Sequence, residues 1–309
     1  MLFWETLQNW ADWGRVFADW AAFAPLVREI FRRNGLPMGE VRVLPPGTNA
    51  VFRVGDLVVK IYAPAETGVG QELGRESEVQ AMRAAAAVGV HTAGVVAAGE
   101  LADRYAFSYL VTRFVSGAAL GDVVREGSAA ERRAIGRELG EVARRLHGAS
   151  PNACPACAVD LFARSQDNPR WDMVPPALAR ELLARAKTVW ARRDRRVLVH
   201  ADLTGENVLR LPSGEFAVLD FGDAVLAPAC VELPSLVLEG LAADADAAAG
   251  VFGGWDAADA VEALLDGLSL HDFAGNLVRD FCARRGLSPE ETAADEAALA
   301  RMLRRALFG

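Results

Sequence analysis

The run from Val197 to Asp223 constrains this chain more than any other stretch. Val197-Leu198-Val199 is a short apolar segment that reads as a buried strand and delivers a polar loop, His200–Asn207. Val208–Leu211 reads as a second short strand, and Pro212-Ser213-Gly214-Glu215 carries turn chemistry. Phe216–Leu219 is a third strand, ending on Asp220-Phe221-Gly222. A loop followed by a hairpin gathers three polar side chains at strand ends: Asp202, Asn207 and Asp220. One carboxylate can take a proton from a hydroxyl while an amide and a second carboxylate hold a divalent cation. Phosphoryl transfer needs that division of labour, because its catalysis is mostly positioning and neutralisation of phosphate charge.

The 309 residues are enough for two lobes with cores of their own, and 52% hydrophobic with 24% charged residues is an ordinary globular balance. No apolar run approaches the ~20 residues of a membrane span. Met1-Leu2-Phe3-Trp4-Glu5 lacks the basic start and apolar core of an export signal, so a cytoplasmic protein is expected. A net charge of -8 argues against a nucleic-acid backbone as partner and permits a cationic one. Cys154-Pro155-Ala156-Cys157 could be half a zinc site or a redox pair, but no matching second pair of ligands lies nearby. A plain surface loop is the expectation there.

Residues 1–39 form a helical extension, with Trp4, Trp10, Trp13 and Trp20 spaced for packing and an amphipathic helix through Phe31. The extension is expected to cap a small lobe, with a dimer contact as the alternative, so monomer and homodimer both stay open. Residues 40–115 read as that lobe: strands over Val41–Leu44, Ala50–Val54, Leu57–Tyr62, Val95–Glu100 and Phe107–Phe114, with a helix over Gln71–Val88. Lys60 and Lys187 are the only lysines among 33 basic residues, and Lys60 sits inside the apolar strand Leu57-Val58-Val59-Lys60-Ile61-Tyr62. A cation in a strand core is expensive unless paired. A phosphate site favours a compact charge on a flexible stem, which explains a lysine in an arginine-rich chain. Residues 116–309 read as mainly helical, including Glu131–His147, Pro176–Arg193 and a segment over Leu268–Arg279. From residue 227 onward there are 14 acidic against 6 basic residues, an excess equal to the net charge.

His-x-Asp, an Asn five residues after that Asp, and then Asp-Phe-Gly is an order that resembles the catalytic and metal-binding loops of the protein-kinase-like superfamily. Ala201 stands where eukaryotic protein kinases carry Arg and where the aminoglycoside phosphotransferase and choline kinase branch has a small residue, usually Gly. The chain resembles that branch, with the hygromycin B phosphotransferases as one candidate group within it. The resemblance implies an α+β, two-lobed kinase-like fold: a small antiparallel sheet with one main helix, a linker, and a larger helical lobe. It further implies ATP or GTP with Mg²⁺ as cofactors, Asp202 as the base, and Asn207 and Asp220 as metal ligands. His200 would be a scaffold for the loop, and Asp223 would stand behind the metal ligands.

By the same resemblance Lys60 holds phosphates and is oriented by a glutamate of the following helix, with Glu76 chosen and Glu72 in reserve. Gly47, Thr48 and Asn49 would lie over the phosphates. Arg113 and Val115 would offer main-chain atoms to the base, with Thr112 at the back of its pocket. The acceptor is expected to be a small molecule bearing a hydroxyl, best an aminoglycoside-type antibiotic, met by Asp266, His271 and Asp272. A sugar, amino alcohol or macrolide kinase and a nucleotide-binding pseudokinase are the alternatives. Ala-Pro-Glu and a long activation segment are missing after Asp-Phe-Gly, which counts against a protein substrate.

Overall fold

Period-two alternation in three strands decides how the first third of the chain is layered. In a computed structural model of the protein, which describes residues 1–45, 47–68, 74–192 and 195–309, these are β1 (Val41–Val43), β2 (Ala50–Val54) and β3 (Leu57–Ile61). They are preceded by helices α1 (Trp10–Val16) and α2 (Trp20–Arg33) and followed by α3 (Arg75–Ala87), β4 (His91–Thr92), β5 (Val95–Ala102) and β6 (Ala106–Arg113). The main sheet has five strands in the order β1-β2-β3-β6-β5, so β3 with Lys60 is central, not an edge. Along it, Leu57, Val59 and Ile61 join a core with Phe3, Trp13, Phe23 and Phe31, whereas Val58 and Lys60 face the opposite way into a cleft. Strand β6 repeats the pattern: Val111 faces the N-terminal helices, and Leu110 and Thr112 face the cleft. The extension therefore covers one face of the sheet and leaves the other for ligand and α3.

The linker leads through β7 (Ala118–Ala119) into α4 (Leu120–Glu126) and α5 (Ala129–His147). Ser128 and Glu131 close a capping box at the start of α5, two residues ahead of the expected boundary. After α6 (Leu161–Gln166) and α7 (Pro176–Ala191) come β8 (Val197–Val199), β9 (Val208–Arg210), β10 (Phe216–Val218) and β11 (Val225–Ala227). The hairpin β9–β10 joins a four-stranded sheet ordered β4-β10-β9-β7, and β8 pairs antiparallel with β11. The parallel pairing of β10 with β4 ties the β9–β10 hairpin to the end of α3. Helix α8 (Glu232–Pro234) runs into a π-turn over Ser235–Gly240. The larger lobe is completed by α9 (Ala245–Val251), α10 (Ala257–Leu270), α11 (Ala274–Ala283), α12 (Pro289–Thr292) and α13 (Glu296–Phe308). Among the described residues no helix is long and apolar enough to cross a membrane.

Two local expectations need correction, and a third falls outside the described residues. The segment expected as continuous helix over Leu268–Arg279 breaks, because His271 is extended and its ring Nδ1 accepts the Phe273 N–H at 3.1 Å. Helix α3 is described from Arg75, and Glu72 lies outside the described residues. Cys154 and Cys157 do not lie on a surface loop: both are fully buried against the core that includes Val79, Met82 and Phe221.

Candidate active site

The loop after β8 is held from behind by one buried carboxylate. Glu232 accepts the main-chain N–H of His200 at 2.9 Å and of Ala201 at 3.0 Å, while His147 Nε2 lies 3.5 Å away. Burial opposes the charge of Glu232, but His147 and the donated N–H groups outweigh it and hold the carboxyl below its ordinary range. Ala201 has φ 62°, a conformation that side chains other than Gly resist. His200 is fully buried: one ring nitrogen meets the Leu219 carbonyl at 2.9 Å and the other accepts the Asp202 N–H at 3.2 Å. That arrangement puts the proton on Nε2 and leaves Nδ1 as acceptor. Burial lowers the ring's pKa, and Phe221 packs on it edge-on at 4.6 Å. His200 thus fixes the distance between the loop and the hairpin.

On the open side of this loop, Asn207 Nδ2 donates to Asp202 Oδ2 at 2.7 Å and to the Asp202 carbonyl at 3.1 Å. The amide nitrogen is thereby committed, and Asn207 Oδ1 is the atom left to meet a cation. Burial, with the charges of Asp223 and Asp220 nearby, pushes Asp202 up to about 7. Asp223 is raised to about 6 by burial and by Asp220, with Asp272 adding to the repulsion. These acids crowd one wall of the site.

Across the cleft, Lys60 Nζ lies 2.9 Å from Glu78 Oε2 and 2.7 Å from Asp220 Oδ1. Burial alone would lower the lysine's pKa, but the two carboxylates override it and raise it. Burial likewise works against Asp220, and Lys60 reverses the sign, holding it below the ordinary value. Tyr62 adds a hydroxyl bond of 2.5 Å to Glu78. Asp220 sits at φ 55°, and its carboxylate meets the lysine across the cleft. Lys60, Asn207 and Asp220 all line a single cleft of about 480 Å³, together with Gly47, Thr112, Arg113 and Val115. A hollow of about 540 Å³ behind the hairpin, lined by Arg137, Arg145 and Glu215, contains none of these groups.

Several expected residues stand elsewhere. Glu76 is exposed and accepts from Gln80 at 3.1 Å; the lysine's partner is Glu78. The signal was present, since Glu78 shares a stripe with Ala81, Met82 and Ala85 at i, i+3, i+4 and i+7, all buried. Thr48 and Asn49 do not line the cleft: the Thr48 carbonyl accepts the Trp13 indole N–H at 2.9 Å, and Asn49 Oδ1 accepts the Ala63 N–H at 3.2 Å. In the linker, the Arg113 N–H donates to the Gly94 carbonyl at 2.9 Å and the Phe114 N–H to the Asp56 carbonyl at 2.8 Å. Asp266 stands away from the His200–Asn207 loop; it binds Arg185 at 2.7 Å and Arg192 at 2.5 Å between α7 and α10. His271 is buried beneath Ala201, and burial lowers it to about 4, so it is a neutral packed ring and not an acceptor contact. Asp272 does lie beside Asp223, in an ion pair with Arg164. Glu232, Tyr62 and Glu78 are the residues that sequence reasoning missed.

A sequence model described as the phosphotransferase enzyme family matches residues 40–268, most of the chain and all of this site but Asp272. The chain belongs to the phosphotransferase enzyme family. No curated protein sequence matches it. Among solved structures, the GDP complex of aminoglycoside 2'-phosphotransferase-IIIa is similar over 91% of this chain and 97% of its own, at 17% identity and TM-score 0.58. A choline/ethanolamine kinase family protein from Mesorhizobium loti covers 90% and 94% at 21% identity and TM-score 0.57. A thermostable mutant of aminoglycoside phosphotransferase APH(4)-Ia, in ternary complex with ADP and hygromycin B, covers 91% and 98% at 16% identity and TM-score 0.56. These likenesses establish the fold, and the two-lobed phosphotransferase architecture is the one laid out above.

Proposed function

We propose that this phosphotransferase moves the terminal phosphoryl group of ATP or GTP to a hydroxyl of a small cationic acceptor, best an aminoglycoside-type compound. The observation that carries the reading is the convergence of Lys60, Asn207 and Asp220 on one cleft bounded by the linker. Asn207 Oδ1 and the Asp220 carboxylate are hard oxygen donors, and two such donors suit Mg²⁺, which takes most of its shell from water and phosphate. A bound Mg²⁺ would supply charge neutralisation at the phosphate oxygens. Lys60, kept protonated by Glu78 and Asp220, is the fixed cation for phosphate. Asp202, oriented by the 2.7 Å bond from Asn207, accepts the acceptor hydroxyl's proton. The Arg113 carbonyl and the Val115 main chain, with Thr112 behind, would meet the nucleobase at the linker end of the cleft, since the Arg113 N–H is taken by the Gly94 carbonyl.

Support for a cationic acceptor comes from Asp202 and Asp223, which burial raises first and which neighbouring carboxylates, Asp220 for both and Asp272 for Asp223, raise further. An ammonium group placed among them relieves that repulsion. A quaternary ammonium such as choline calls for open aromatic faces. Phe273, the aromatic ring beside Asp223, already carries the Arg170 guanidinium at 4.5 Å from its centroid. The test is a phosphorylation screen over aminoglycosides, sugars and amino alcohols with ATP and with GTP, using Asp202→Asn as control. Phosphate-ester formation that needs Asp202 is expected with a polyamine-bearing acceptor. Nucleotide binding without transfer to any acceptor would favour the pseudokinase alternative, and turnover indifferent to Asp202→Asn would remove the assigned base.

A further inference from the structure

The buried Cys-x-x-Cys has no part in the chemistry above, yet it is built against the helix that aligns Lys60. Pro151–Ala153 and Pro155–Cys157 are two consecutive 3₁₀ turns, and the second packs on α3. Cys157 Sγ donates to the Ser77 carbonyl at 3.5 Å, and the Ala156 N–H donates to Gln80 Oε1 at 3.0 Å. Ser77 is the residue before Glu78, and its hydroxyl also closes the start of α3 by bonding Gly74. Among the described residues, no group of three or more His, Cys, Asp or Glu gathers to hold a metal. The Cys157 N–H bond to the Cys154 carbonyl, 3.0 Å, closes a turn whose ends lie within roughly 7 Å. A disulfide spans that distance.

We infer that Cys154 and Cys157 form a reversible disulfide that loosens the seating of α3 and so weakens the Glu78–Lys60 pair. Cys154 attacks a disulfide oxidant such as glutathione disulfide, forming a mixed disulfide and releasing one glutathione thiolate. Cys157 then attacks the Cys154 sulfur and expels the second glutathione. Two protein thiols are oxidised, one glutathione disulfide is reduced to two thiols, and the two protons leave with them. The Cys157 proton is held on the Ser77 carbonyl, which leaves Cys154 as the first nucleophile. Asn152, Ala153 and Pro155 are exposed around the buried pair, so a local opening of one short turn admits the oxidant. Closure of the bridge removes the S–H donor from Ser77, one residue from Glu78.

The experiment equilibrates the full chain in glutathione buffers of graded potential, traps thiols with acid and alkylation, and maps peptides. Expected is a bridge within the 154–157 peptide, about 2 Da lighter, as a two-electron couple requires. With it, amide exchange in α3 should rise. The Kd for an ATP analogue should rise about 2- to 10-fold, the change one neutral hydrogen bond accounts for, and a dithiol should reverse it. Cys154→Ser, which keeps the Cys157 donor, should hold the reduced-state exchange and affinity in every buffer. No bridge, a bridge through Cys230 or Cys282, or a 154–157 bridge that leaves α3 exchange unchanged would overturn the inference. Only the nucleotide readout rests on the proposed kinase function; if the reduced protein binds no nucleotide that reading fails, while peptide mapping and α3 exchange still decide this one.

Discussion

Asp202, the base proposed above, carries a charge that is costly to the fold. Its carboxyl is held up to about 7 and that of Asp223 up to about 6, against 3.8 for both in an unconstrained chain. Between about pH 4 and 7 the native chain therefore binds more protons at these two sites than the unfolded chain does. Their contribution to stability is full below the ordinary carboxyl range and is lost as pH rises through the raised values. Asp202→Asn removes one ionisation but keeps an oxygen for the Asn207 amide. At pH 8 it should raise stability by on the order of 1–2 kcal/mol and flatten the dependence of Tm on pH. The same change should lower kcat about 10²–10⁴-fold. A thermal melt series from pH 4 to 8 checks the first part, and an Asp202→Asn variant less stable than the parent at pH 8 would contradict the crowding described here. In the parent enzyme kcat/KM should climb through an acid limb near neutrality, and Asp223→Asn should move that limb to lower pH by removing a like charge.

At the level of elements, α3 decides whether Lys60 has an orienting partner. Glu78→Gln breaks a buried pair and should cost about 3 kcal/mol of stability while raising the KM for nucleotide. Glu76→Gln, on the exposed face, should leave melting and KM as they are, and the reverse result would restore Glu76 to the role expected of it. The helix, the lysine strand and the Asp-x-x-x-x-Asn loop were all legible, because period and spacing are local properties. The choice among three glutamates was not, because an acidic residue on a buried stripe gains its partner only when β3 and β10 arrive from elsewhere in the chain. Glu232 was hidden for the same reason, as an isolated acid in the apolar run Val231-Glu232-Leu233-Pro234. It now accounts for the loop's shape, since two N–H groups and His147 converge on it. Glu232→Ala orphans both donors and should cost about 3–5 kcal/mol, visible as a lower urea midpoint. Glu232→Gln, retaining one acceptor oxygen, should recover part of that; equal midpoints for the two variants would show that the acceptor oxygens at this position do not matter.

For the whole molecule, the boundary that matters physically lies elsewhere than the start of the family match at residue 40. Phe3, Leu7, Trp13, Phe23, Leu26, Val27, Ile30 and Phe31 are all buried against the outer face of the main sheet. Each such side chain contributes about 1.5–3 kcal/mol on burial, so together they amount to on the order of 12–24 kcal/mol. That is as large as the net stability of a typical domain, about 5–15 kcal/mol. The extension is also hydrogen-bonded in: Asp103 accepts the N–H of Leu2 at 2.8 Å and of Phe3 at 2.9 Å, and the Tyr105 hydroxyl accepts from Leu7 at 2.8 Å. Through the Trp13 indole it reaches the Thr48 carbonyl, next to the Gly47 that borders the cleft. A chain of residues 36–309 should therefore aggregate or melt far below the full chain and lose nucleotide binding. The helical lobe, whose core of Leu264, Phe281 and Leu303 lies apart, should keep its helical circular dichroism. Supplying residues 1–35 as a separate peptide should recover soluble protein in part. If the shortened chain instead melts within a few degrees of the parent and binds nucleotide normally, the extension is a covering layer only, and the small lobe's stability must come from α3 and the linker.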